Sequence, residues 1–244
     1  TEQNLSCEDA GVHFSFLPAQ PTIAPLPLPV SAMRCKLFVP GSRPELFAKA
    51  LAGDADALSF DLEDSVVEAR KDEARQALGE LLTSAAARAS DKTLIVRVNA
   101  LDSPHFAADV RAVVREGLDL VNLPKPESAA DVREAAEAIA AAEKANGVTT
   151  PVRLLVNVES ARAFDRAAEL ARAHPRVAGL QLGLADLFEP LGMDRREVAA
   201  VQQAMFAVRM AAGTAGVFAY DGAFADIRDA AGFRAEAEMA RRFG

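Results

Sequence analysis

The chain of 244 residues has no tryptophan, a single tyrosine, two cysteines and three histidines. Each scarcity narrows the field. Cys7 and Cys35 have neither metal-ligand spacing nor the density of a disulfide scaffold, which fits a reduced, cytoplasmic protein. Positive charge is also short: a formal net charge of -8 and a pI near 5.0 argue against a chain-wide footprint for nucleic acid or an anionic membrane. No segment supplies the roughly 20 uninterrupted apolar residues that a spanning helix needs. No Gly-x-Gly-x-x-Gly opens a helix after the first strand, no Gly-Lys-Ser/Thr follows Gly41, and no Gly-x-Ser-x-Gly occurs. Nicotinamide binding, a phosphate loop and a serine nucleophile are therefore unsupported. Residues 1–33 contain no Lys or Arg and hold Pro18, Pro21, Pro25, Pro27 and Pro29. They read as an extended arm or leader without the basic start of a signal peptide.

Half of the chain is apolar, enough to bury a substantial core in one large domain over residues 34–244. From Arg34 onward, short β-rich runs alternate with longer Ala-, Glu- and Arg-rich stretches of helical spacing. That alternation is the signature of βα units around a parallel sheet. Seven strands are expected: Cys35 to Val39, Ala57 to Asp61, Thr93 to Val98, Leu118 to Leu123, Val152 to Val158, Gly179 to Leu184 and Val217 to Tyr220. The helices expected between and after them run Pro44 to Leu51, Glu68 to Ala89, Ala107 to Glu116, Ala129 to Asn146, Ala161 to Ala173, Arg196 to Ala212 and Ala230 to Phe243. A closed (β/α)₈ barrel needs eight strands. The expectation is an α/β TIM barrel whose eighth strand is missing from this sequence.

Two acids follow apolar, strand-like runs: Glu159 after Leu154-Leu155-Val156-Asn157-Val158, and Asp186 after Leu180-Gln181-Leu182-Gly183-Leu184-Ala185. The carboxyl ends of neighbouring parallel strands converge on one face. Two carboxylates there suit Mg²⁺, which takes one or two of them with waters or substrate oxygens. The alternative for each is a helix cap or a solvated acid. Asp61, Glu63 and Asp64 crowd three acids at the end of the second strand, more negative charge than such a site holds without a cation or donors nearby. Asp61 is read as a turn cap or a member of this cluster. Arg97 ends the third strand, where its planar fork pairs either with a substrate carboxylate or with those acids. Lys125 at the end of the fourth strand is either their partner or a surface lysine.

Cys35-Lys36-Leu37-Phe38-Val39-Pro40-Gly41, Phe60-Asp61-Leu62-Glu63-Asp64-Ser65-Val66, Arg97-Val98-Asn99, Leu123-Pro124-Lys125-Pro126-Glu127, Val158-Glu159-Ser160-Ala161 and Gly183-Leu184-Ala185-Asp186-Leu187 follow one another in order. This series resembles the HpcH/HpaI aldolase and citrate lyase superfamily, in its citrate lyase beta-subunit-like branch, over residues 34–244. The resemblance implies a TIM barrel, Mg²⁺, and lyase chemistry that cleaves or forms a carbon–carbon bond beside an acyl-CoA thioester such as citryl-, citramalyl- or malyl-CoA. It implies Glu159 and Asp186 as metal ligands, with Glu159 and Arg97 also touching substrate. Glu63 and Asp64 orient metal waters or Arg97, and the general base is left open among the acids. Phe38, Lys49, Arg70, Lys71 and Arg75 are the expected CoA contacts, each with a solvated face or core packing as its alternative. A homo-oligomer, trimer or hexamer, is expected.

Two departures stand out. Ala163 replaces a glycine common after the Glu-Ser/Thr-Ala stretch, and the late Ile-His-Pro-type segment is absent, so the chain as given is expected to be an incomplete catalyst. Two other functions stay open: a class II pyruvate-type aldolase acting without CoA, and a catalytically silent metabolite-binding barrel. The aldolase reading wants a histidine base near the second strand, and His13, His105 and His174 are not there.

Overall fold

A computed structural model describes residues 33–224, 226 and 228–244. The proline-rich arm, apart from Met33, lies outside the described residues, as do Cys7 and His13. Seven strands form one parallel sheet in strictly sequential order: β1 (Lys36–Pro40), β2 (Ala57–Asp61), β3 (Thr93–Arg97), β4 (Leu120–Leu123), β5 (Arg153–Val158), β6 (Val177–Leu182) and β7 (Phe218–Tyr220). The helices are α1 (Phe47–Leu51), α2 (Lys71–Thr83), α3 (Ala85–Arg88), α4 (Phe106–Val113), α5 (Ala129–Asn146), α6 (Ala161–Asp165), α7 (Ala167–Ala171), α8 (Leu184–Phe188), α9 (Val198–Gly213) and α10 (Ala230–Phe243). None of the described helices is long and apolar enough to cross a membrane.

The strands are apolar nearly throughout because both faces are covered. Successive side chains point to opposite faces. Val96, Val121, Leu154, Val156 and Leu180 enter the large core shared with the helices, while Ala57, Ile95, Leu120, Leu155 and Ala178 form a second cluster with Met33, Phe218 and Tyr220. This second cluster lines the concave face. The Lys36 ammonium on β1 hydrogen-bonds the Gln181 amide oxygen on β6. In a flat sheet those strands would lie five spacings, about 24 Å, apart. The sheet is therefore strongly curled, and its first and last strands approach one another.

Local chemistry sets the helix boundaries. Ser128 and Asp131 form a reciprocal capping box at the start of α5, and Gly147 ends it at φ 67°, the left-handed conformation that glycine adopts without strain. Several expected helices are shorter or broken, and Pro44 to Leu51 begins as a 3₁₀ turn over Pro44–Leu46 ahead of α1. Glu68 to Ala89 divides into a 3₁₀ turn, α2 and α3, because Ser84 turns extended and its side chain caps α3 through the Ala87 N–H. Ala161 to Ala173 splits into α6 and α7 at Arg166. The fourth helix ends at Val113, where Val114 turns extended.

The largest boundary correction concerns the sixth strand. It spans Val177–Leu182 and stops before Gly183, so Leu184, assigned above to a strand, begins α8. Asp186 consequently sits in the first turn of a short helix, four residues beyond the strand end.

Candidate active site

The carboxyl ends of β2 to β6 deliver a ring of charged groups. Asp61 closes β2 and is 2% exposed. It accepts from Arg97 Nε at 2.7 Å and Arg97 Nη2 at 2.8 Å, the bidentate arrangement that a planar fork favours. The same carboxylate accepts the Glu63 and Ser65 N–H groups, each at 3.0 Å. It thus caps its own turn while pairing with Arg97. Burial alone would push the Asp61 carboxyl up; the Arg97 hydrogen bonds outweigh it and hold the group below the usual range.

Arg97 Nη1 lies 2.8 Å from Glu63 Oε2 in an ionic contact and 3.3 Å from Asp64 Oδ2. Its guanidinium carbon stands 5.6 Å from the Phe38 ring centre. The ion-pair alternative for Arg97 is therefore realised, with its remaining face turned to an aromatic. Lys125 Nζ reaches Glu63 Oε1 at 2.7 Å and Asp64 Oδ1 at 3.7 Å, so Lys125 is partner to the acid cluster. Even so, burial raises the Glu63 carboxyl above its ordinary value, and the attraction of Arg97 and Lys125 only partly offsets that.

Glu159 follows β5 and is 4% exposed. Its Oε1 accepts the Lys125 backbone N–H at 2.7 Å, and its Oε2 accepts Asn157 Nδ2 at 2.9 Å. Asn122 Nδ2 in turn donates to Asn157 Oδ1 at 2.6 Å. Lys125 achieves its contact with φ at 52°, a left-handed conformation that is strained for a lysine and tends to occur where function demands it. Burial is the chief cause that pushes the Glu159 carboxyl up to about 7; the Lys125 N–H opposes it, and the charges of Glu63 and Asp186 add to it. Asp186 is half-buried and electrostatically coupled to both Glu159 and Lys125.

Gly183 makes this approach possible. A β-carbon there would fall 2.5 Å from Glu159 Cβ and 2.6 Å from its Oε2, and no real β-carbon sits that close. Gly183→Ala is expected to cost about 1–3 kcal/mol through overpacking and to weaken Mg²⁺ binding at least tenfold, as read by calorimetry. Unchanged metal affinity in a folded variant would remove Gly183 from the site.

Among the described residues, no group of three or more His, Cys, Asp or Glu side chains is arranged to hold a metal on its own. A pair of coupled carboxylates, one oriented by two donors and carrying a charge that burial disfavours, is a hard oxygen donor set. It fits Mg²⁺, whose other positions go to water or substrate, and does not fit a closed protein cage.

The residues expected to contact CoA separate into two groups. Lys49 is exposed, and Arg70 faces outward in a pair with Glu73 at 2.8 Å. Lys71 and Arg75 turn inward, contrary to an outward phosphate contact. Lys71 Nζ donates to Leu62 O at 2.9 Å, Glu63 O at 3.2 Å and Asn99 Oδ1 at 2.7 Å, bracing the loop that carries the acid cluster. Arg75 pairs with the buried Asp109 at 2.9 Å and with Asp72. Phe38 stands on the concave face between Lys36, 4.5 Å from its ring centre, and Arg97.

Sequence reasoning missed Lys36, Ser59, Asn122, Asn157, Gln181 and Tyr220. All six lie on the concave strand face or extend it. A signal was present, since Asn122, Asn157 and Gln181 interrupt otherwise apolar strands at positions in phase with the inward face.

The family model for HpcH/HpaI aldolase/citrate lyase matches residues 34–244. L-malyl-CoA/beta-methylmalyl-CoA lyase of Cereibacter sphaeroides is 35% identical over 239 residues, covering 89% of this chain and 74% of that protein. Citrate lyase subunit beta of Escherichia coli K12 is 39% identical over 213 residues, covering 86% and 70%. The solved citrate lyase beta subunit of Mycobacterium tuberculosis, complexed with oxaloacetate and magnesium, superposes with a TM-score of 0.71 at 35% identity, covering 88% of this chain and 89% of that one. Protein CitE from the same organism, with magnesium, acetoacetate and coenzyme A, gives a TM-score of 0.66 at 36% identity, covering 82% and 69%. Ordered motifs, sequential parallel strands and an acid pair beside a clamped arginine agree with these matches, and the chain belongs to the HpcH/HpaI aldolase/citrate lyase family.

Proposed function

We propose that this chain is a Mg²⁺-dependent carbon–carbon lyase that cleaves or forms a short hydroxyacyl-CoA such as citryl-, citramalyl- or malyl-CoA, yielding a keto acid and an acyl-CoA. The carrying observation is the coupled pair Glu159 and Asp186 beside the Asp61–Arg97–Glu63–Lys125 network. Residues 34–244 act as one lyase domain, and its curled sheet is the wall of a (β/α)₈ barrel that an eighth strand would close between β7 and β1.

In this reading Glu159 and Asp186 would hold the metal, which would supply Lewis-acid polarisation of the keto-acid oxygens. Cleavage removes the hydroxyl proton, breaks the carbon–carbon bond and leaves its electron pair as a thioester enolate, which then takes up a proton. Arg97, fixed in its plane by Asp61 and Phe38, directs its remaining Nη protons at substrate oxygen. Glu63 and Asp64 keep Arg97 in register or would orient the waters of a bound metal. Phe38 lies against the substrate, and Lys49 and Arg70 are the outward cations available to CoA phosphates. Lys71 and Arg75 brace the loop and helix that present them.

The aldolase alternative finds no base among the described histidines near β2. His105 contacts Glu68 at 2.8 Å, and His174 lies in the turn before β6. The test is incubation with Mg²⁺ and citryl-, citramalyl- or malyl-CoA while following keto-acid release. Turnover on at least one is expected. Tight Mg²⁺ binding with no turnover on any of the three would replace the lyase reading with a metabolite-binding one.

A further inference from the structure

Lys36 opens β1 and turns its side chain onto the concave face. Its ammonium donates to the Gln181 amide oxygen and lies 4.5 Å from the Phe38 ring centre and 5.7 Å from that of Tyr220. No carboxylate pairs with it among the described residues, whereas the inward-facing Arg75, Arg97 and Arg176 each have one. Lys71 also lacks an acid, but its three ammonium protons each meet an oxygen. Among the described residues, Lys36 has a single hydrogen-bond acceptor.

Its surroundings share that excess of donors. The Ser59 and Tyr220 hydroxyls, each able to donate, are buried without a hydrogen-bond partner among the described residues. Ser59 lies on β2 beside β1, two positions before Asp61, and Tyr220 pairs in register with Gln181. Burial and the positive charge of Arg97 pull the Lys36 ammonium down to about 7, against the attraction of Asp61. A part-buried cation without an acid among the described residues is stabilised by an incoming anion.

The depth of this group relative to the acid pair decides which anion. Gln181 stands two residues, about 7 Å along the strand, before Gly183, which packs on Glu159. Lys36 therefore forms the floor beneath the Glu159–Asp186 pair. A four-carbon chain anchored at that pair by its keto-acid end reaches the floor with its far end. We propose that Lys36 binds the distal carboxylate of a 2-keto dicarboxylate and so makes the site select dicarboxylic over monocarboxylic keto acids. The assignment rests on the reading of Glu159 and Asp186 as the Mg²⁺ and keto-acid site.

The test is calorimetric titration of the Mg²⁺-loaded chain with freshly prepared oxaloacetate and, separately, with pyruvate at pH 6.5. The wild type is expected to bind oxaloacetate at least tenfold more tightly. Lys36→Met should erase that preference by weakening oxaloacetate tenfold or more, while pyruvate and Mg²⁺ affinities stay within twofold. Lys36→Gln, which removes the charge but keeps hydrogen bonding, should give the same result and serves if the methionine variant does not fold. Equal weakening of both keto acids would mark Lys36 as merely structural and overturn the proposal. An unchanged preference would overturn it as well. Mg²⁺ binding with no affinity for either keto acid in the wild type would bring down the lyase reading, and this assignment with it.

Discussion

Glu159→Gln is expected to abolish the Mg²⁺-dependent rise in melting temperature and, without metal, to make the protein more stable than wild type at pH 8. Burial and two neighbouring acids lift the Glu159 carboxyl from 4.5 to about 7. A raised carboxyl pKa means that the folded state holds a proton the unfolded state has released. The destabilisation is absent below about pH 4.5, grows as pH rises to 7, and is complete above that. Its upper bound is about 3 kcal/mol. Glutamine removes the charge but leaves either the Lys125 N–H or Asn157 Nδ2 without its acceptor, which costs about 1 kcal/mol. The net gain of about 1–2 kcal/mol corresponds to a few degrees in a chain of this size. Melting curves at pH 8 and pH 5, with and without excess Mg²⁺, separate the effects. At pH 5 the advantage should vanish, and at both values the variant should ignore the metal. A variant that keeps the wild-type metal response would remove Glu159 from the metal site.

Arg97→Met should be the most destabilising single change in the site, by about 3–5 kcal/mol, because it leaves buried carboxylates without their cation. Asp61 loses a bidentate partner at 2.7 and 2.8 Å, and Glu63 loses a contact at 2.8 Å. Urea unfolding of the wild type, Arg97→Met, Asp61→Asn and the double variant measures the coupling, expected at 2 kcal/mol or more. The pH dependence has the opposite sign from that of Glu159. Arg97 holds the Asp61 carboxyl low, so the pair's contribution is present above about pH 4 and is lost as pH falls through the folded-state value. The gap between wild type and Arg97→Met should therefore narrow in acid. Strict additivity of the two single changes at pH 7 would mean that Arg97 acts on the fold through something other than this pair.

Strand order and the strand-end charges were legible because they depend on short-range pattern. Asp61, Arg97 and Glu159 close runs whose apolar character announces burial on both faces. Asp186 was legible as an acid near a strand end but not as a helical residue, since Gly183-Leu184-Ala185 carries no local stop signal. What ends β6 there is the contact of Gly183 with Glu159, a tertiary fact. Lys71 and Arg75 share the composition of outward helix residues. Only the positions of the Leu62 carbonyl, Asn99 and Asp109 turn them inward. The floor formed by Lys36, Gln181 and Tyr220 escaped because it joins distant strands that no window along the chain contains.

The ties that build the site differ in how much chain they close. Asp61 to Arg97 spans 36 residues and Lys125 to Glu159 spans 34, about one βα unit each, so the entropy lost in closing each loop is modest. Lys36 to Gln181 closes 145 residues and draws together the ends of a sheet whose strand pairings all run between sequential neighbours. The acid cluster is thus a product of local assembly, while the floor beneath it exists only when the whole wall has bent.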